Sequence, residues 1–249
     1  NPERQLHPHI SSWFDAGDLL QRHAPATFNL AEGAGQVRQF GRIAIFNDLL
    51  KGPQSRIYSY IRTAVSDLRR EVNERRQMEI IIVASFAGGT GAGMFVDTGI
   101  LARKIAMQQV QKDLCVRGFY VLPRVFTMQD STMMARSFAA WRELDRFLMI
   151  GEKYGQRKML YHPTDPNLQV DINERIFDVC YLVDAVSQGK NNLENDAPEK
   201  GLFPMVADSI STILDSKAGQ KYTEYVTSNL AGQLEVSGRA PYHSAIGAY

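Results

Sequence analysis

The segment Ser85-Phe86-Ala87-Gly88-Gly89-Thr90-Gly91-Ala92-Gly93-Met94 constrains the fold more than any other stretch of the chain. It follows an apolar run, Met78 to Phe86, that reads as a buried strand, and it opens a helical pattern from Met94 to about Val110. Four glycines in six positions at a strand-to-helix turn let backbone N–H groups close around an anion at the positive end of a helix. A nucleotide phosphate is the natural guest. Two familiar loops do not fit these residues. A Walker loop needs Lys and then Ser or Thr after its last glycine, but Gly93 is followed by Met94 and Phe95. The Rossmann fingerprint needs glycines at n, n+2 and n+5, and from Gly89 the third place holds Met94.

A second loop lies upstream. In Gly33-Ala34-Gly35-Gln36-Val37-Arg38-Gln39-Phe40-Gly41-Arg42, the two glycines allow another N–H nest, and Arg38 or Arg42 is placed to add charge. GGTGAG between a strand and a helix resembles the phosphate-binding signature of the tubulin and FtsZ superfamily. Gly-Ala-Gly followed by Gly-Arg and a helix resembles that family's loop over the terminal phosphate. The resemblance covers about residues 33 to 224, tightly at the two loops and loosely elsewhere, and points to the divergent bacterial and archaeal tubulin-like proteins.

Patterning along the chain agrees with an α/β fold. Apart from a possible short helix around Ser12 to Arg22, residues 1–32 read as irregular. Helical patterns run from about Gln36 to Lys51 and from about Gln54 to Arg76. A strand from about Leu114 to Leu122 ends at Pro123, and a helix capped by Asp130 or Ser131 carries Met134, Phe138, Trp141, Leu144 and Leu148 on one face. Tyr154 to Glu174 reads as polar and turn-rich, Ile176 to Ala185 as a buried strand, and Leu202 to Leu214 as a helix. Near-continuous apolar strands joined by helices predict a parallel sheet with helices on both faces. In such a sheet ligands sit beyond the carboxyl ends of the strands, where Gly88 to Gly93 and Asp184 would meet.

Charge and cysteine usage exclude several classes. With 28 basic and 27 acidic side chains the net charge is +1, so no nucleic-acid surface is expected. No run of about eighteen apolar residues predicts a membrane span. Cys115 and Cys180 sit in apolar strand-like runs, which fits buried free thiols and a reducing, cytoplasmic location. The five histidines show no metal-ligand spacing, and no Gly-x-Ser-x-Gly elbow is present, so neither a metal site nor nucleophilic hydrolysis is indicated. An NAD enzyme is disfavoured by the failed fingerprint and by Asp113, which precedes a strand instead of ending one.

The resemblance implies a Rossmann-like nucleotide-binding half of a tubulin/FtsZ-type fold: an irregular leader 1–32, the nucleotide-binding domain 33–201, a central helix 202–218, and the start of a truncated second domain 219–249. It assigns phosphate contacts to Gly88, Gly89, Thr90, Gly91, Ala92 and Gly93, with Gly33, Ala34 and Gly35 over the terminal phosphate. Arg136 resembles the arginine that contacts the nucleotide, or is an exposed helix arginine. Asp184 stands where the family places a polar residue near the ribose, or is a strand-end turn residue. Phe203 is placed to stack on the base, or belongs to the core. The chain has Gly-Leu-Phe-Pro where the family offers Asn or Asp to guanine, and lacks the Asn-x-Asp-x-x-Asp pattern after the central helix, where Glu224 is the best remaining catalytic carboxylate. The implied cofactors are GTP or GDP with Mg²⁺ on the phosphates. The implied activity is a GTPase that assembles head to tail and hydrolyses at subunit contacts. The alternative is a non-hydrolysing tubulin-like scaffold subunit.

Overall fold

The structure is a computed structural model, and it describes residues 8–11, 34, 37–71, 78–109, 114–126, 131–150, 154–185, 198–215, 217, 219, 221 and 244–246. After a helical turn, Pro8–Ser11, helices α1 (Arg38–Leu49) and α2 (Arg56–Glu71) lead into strand β1 (Met78–Ser85). Helix α3 (Gly89–Gln109), strand β2 (Leu114–Val121) and helix α4 (Ser131–Leu148) follow. A hairpin of β3 (Arg157–Leu160) and β4 (Gln169–Ile172) precedes β5 (Val179–Val183), helix α5 (Leu202–Asp215) and β6 (Ser244–Ile246). The expected helix at Ser12 to Arg22 lies outside the described residues.

The main sheet is parallel, in the order β1-β2-β5-β6. β2 and β5 are its inner strands, and along β2 successive side chains point to opposite faces. Val116 and Tyr120 enter the core under α1, α3 and α4, where Tyr120 stacks on Phe86 at 4.7 Å and meets Phe95 and Phe177 edge-on. Phe119 and Val121 face the other way, against Leu202, Val206 and Ile213 of α5, and Phe119 stacks on Tyr181 at 4.5 Å. Helices therefore cover both faces, as patterned strands require.

One charge is buried in this sheet. Arg117 is fully buried, and its Nε and Nη2 donate to the two oxygens of Glu79 at 2.7 and 3.1 Å while Nη1 reaches the Tyr181 hydroxyl at 3.3 Å. The bidentate carboxylate makes that burial tolerable.

Three expectations need correction. The 154–174 stretch is not all turns: β3 and β4 pair antiparallel, with Val170 and Ile172 buried. The apolar face of α4 is the expected one at Leu144 and Leu148 but is offset by one residue before them. Met133, Ser137, Ala140, Leu144 and Leu148 are buried, while Met134, Phe138 and Trp141 are 42 to 55% exposed. Small side chains at 137 and 140 let α4 pack closely, and the larger stripe beside them stays outside. Helix α3 starts at Gly89 instead of Met94, so most of the glycine loop is already helix. No described helix is long and apolar enough to cross a membrane.

Candidate nucleotide-binding site

The register of the sheet aligns Ser85, Val121 and Val183 in one row at its carboxyl edge. The glycine loop, the turn at Pro123–Val125 and Asp184 all leave from that row. Phe86 is held there by its N–H donating to Val121 O at 2.9 Å, and the Ser85 hydroxyl accepts from Ala87 N at 3.1 Å. From Gly89 the chain turns into the twenty-one residues of α3, whose first turn carries no acidic side chain. The leading N–H groups of a helix have no partner within it, and the helix dipole adds a partial positive charge at the same place.

The glycines of this loop divide by what surrounds them. A side chain at Gly88 would meet nothing within 4 Å, so the approach to the helix end is open there. A Cβ on Gly93 would lie 2.2 Å from Arg38 O, and one on Gly41 of α1 would lie 2.4 Å from Gly89 O. These glycines let two helix backbones touch. A Cβ at Gly91 would also crowd the Ser85 backbone, at 2.9 Å. Thr90 is exposed and Ala92 is buried.

The close crossing is locked by charge. Arg42 on α1 pairs with Asp97 of α3 at 3.2 Å and with Glu143 of α4 at 2.9 Å, and Tyr161 donates to Asp97 Oδ1 at 2.8 Å. Arg38 donates from Nε to Ala92 O at 3.0 Å and pairs with Glu143. Burial pushes the Asp97 carboxyl above its ordinary pKa, against the pull of Arg42 and Tyr161. Burial also opposes charge on Arg42, but Asp97 and Glu143 outweigh it and hold the guanidinium above its ordinary value. Arg38 and Arg42, expected to add charge at the phosphates, instead bind these carboxylates. The sequence reading does not single out Asp97, although it is a lone acid in the apolar run from Met94 to Ala102; Glu143 and Asp145, spaced i,i+2, read only as no catalytic dyad.

The remaining expected residues fall as follows. Ala34 is buried and its carbonyl accepts from Val37 N at 2.8 Å at the start of α1; Gly33 and Gly35 lie outside the described residues. Asp184 is half-buried at the end of β5, with Oδ1 accepting from Ala185 N at 2.8 Å. Phe203, in the first turn of α5, is 45% exposed and therefore not core, while its neighbour Leu202 packs with Val183 and Ala185. Arg136 is half-buried on the second turn of α4. Glu224 lies outside the described residues. Among the described residues no group of three His, Cys, Asp or Glu side chains gathers as a metal site. The open loop, its dipole and its lack of first-turn acids fit the phosphates of a nucleotide.

A family model described as "Tubulin like" matches residues 1–248. The chain belongs to this tubulin-like family, and the parallel sheet, the glycine loop and the helix behind it are those of a tubulin-like nucleotide-binding protein. Neither the curated proteins nor the solved structures contain a match to it.

Proposed function

We propose that the protein binds GTP, with Mg²⁺ carried on the nucleotide phosphates, and assembles head to tail into filaments whose contacts complete a GTPase site. The observation that carries this reading is the open space at Gly88, just before the first turn of α3 and on the same sheet edge as Asp184. Phosphates would sit on Gly88 to Gly91, with the base toward Phe203. In a shared site the second subunit supplies a carboxylate that orients the attacking water, and Glu224 is the residue assigned to it.

The test is phosphate release from GTP by the full-length protein as a function of protein concentration. A rate per subunit that rises steeply above a threshold is the expected result, and Glu224→Gln should remove the release while nucleotide binding stays. A second reading is a scaffold subunit that binds nucleotide without hydrolysing it. The absence of the Asn-x-Asp-x-x-Asp pattern in Asp215 to Tyr225 favours it. A folded sample that binds GTP but releases no phosphate at any concentration would establish that second reading.

A further inference from the structure

A cavity of about 640 Å³ opens between α1, the C-terminal half of α4 and β3, within the size range of small-molecule pockets. It is not the glycine edge, because α3 lines it only through Gly93 and no residue from Ser85 to Thr90 takes part. Its walls carry Arg38 and Arg42 from α1, Arg142 and Arg146 from α4, and Arg157 and Lys158 from β3. Against these stand two carboxylates, Glu143 and Asp145, and Glu143 is already held by Arg38 and Arg42. Arg142, Arg157 and Lys158 form no ion pair among the described residues, and Arg146 lies over the Tyr154 ring at 5.6 Å. Three elements far apart in sequence thus bring like charges around one space. The inner wall is apolar, with Phe147 and Ile150 buried and Met159 half-buried.

We propose that this cavity binds a small organic polyanion, one that carries two or more phosphate or carboxylate groups on an apolar or aromatic body. Guanidinium groups on separate elements suit bidentate contacts to several anionic groups at once, and the apolar wall receives the rest of the molecule. An apolar inner wall of Phe147, Ile150 and Met159 among these cations favours a compact ligand with an apolar body over an acidic segment of a partner, which offers carboxylates alone. The site is also tied to the glycine helix. Arg38 spans from Glu143 to the Ala92 carbonyl, and α1 rests on Gly89 through Gly41. An anion that draws Arg38 or Arg42 from Glu143 pulls directly on the crossing that sets the start of α3.

The test uses inorganic tripolyphosphate at physiological ionic strength, with the readout placed at Lys158. Tripolyphosphate should protect Lys158 from acetylation, read by mass spectrometry, and the Arg142→Gln/Arg157→Gln double variant should need about tenfold more of it for the same protection. Both substituted positions are exposed, so the fold should stand, and an unchanged melting temperature checks this. Because the label sits on β3, binding at the glycine loop leaves it unaffected, and the result is independent of whether GTP is hydrolysed. Three results would overturn the proposal: no protection at millimolar tripolyphosphate, protection that the double variant leaves intact, or stronger protection by poly-glutamate than by tripolyphosphate.

Discussion

At the scale of single residues, burial decides which groups react and which titrate. Cys115 and Cys180 are free and buried, and burial pushes the Cys115 thiol up to about 12 and raises Cys180 as well. Iodoacetamide at pH 8 should therefore leave both unlabelled in the native protein and label both after unfolding. Asp48 behaves in the opposite sense. Burial alone would raise its pKa, but the Ser55 hydroxyl at 2.6 Å, the Ile57 N–H at 3.0 Å and Lys51 at 3.1 Å outweigh this and lower it. A lowered folded value gives stability that is present above the ordinary carboxyl value of 3.8 and lost as pH falls through the folded value. Asp48→Asn should lower the melting temperature at pH 7, and the gap from wild type should close as the pH drops below about 4. The apolar burial of both cysteines was legible in the chain, because each sits within a run of apolar neighbours. The fate of Arg38 and Arg42 was not, because their carboxylate partners lie on helices more than fifty residues away.

At the scale of elements, the α1–α3 crossing is where a single methyl group matters. Alanine is favoured over glycine in a helix by about 1 kcal/mol, but a Cβ at Gly41 would press on backbone at 2.4 Å, and backbone does not yield cheaply. Gly41→Ala should lose about 1–3 kcal/mol net in denaturant unfolding, whereas Gly88→Ala, with open space around it, should change stability little. The α4 stripe gives a matching contrast: Phe138→Ser should cost no more than about 0.5 kcal/mol, and Glu79→Ala, which leaves Arg117 buried without its carboxylate, about 3–5 kcal/mol. β1 and β2 were legible because each is an eight-residue, largely apolar run, and β5 because it lies within the apolar run from Ile176 to Ala185, whereas the three residues of β6 carry no such signal. β3 and β4 were not, since four-residue strands such as Gln-Val-Asp-Ile offer only two turns of alternation. On α4 the bulk of Met134, Phe138 and Trp141 outweighed the small residues that do pack inward, a choice that periodicity alone leaves open.

At the scale of the whole molecule, the parallel sheet gathers the ends of β1, β2 and β5 at one edge, with α3 beginning on one side and α5 on the other. A nucleotide lying across that edge would span from Gly88 to Phe203. Phe203→Ala should weaken binding of GTP by about tenfold through lost stacking while leaving the affinity for tripolyphosphate at the loop and the melting temperature unchanged, because the ring is half in solvent already. The packing of the glycine helix also bears on how such chains diverge. Gly93 keeps α1 and α3 in register and Gly91 clears the end of β1, with or without a nucleotide. A descendant that abandoned its ligand would still be held to those two glycines by its core. Gly88, with open space around it, would be free to drift, so a side chain there is the change expected in a lineage that had ceased to bind.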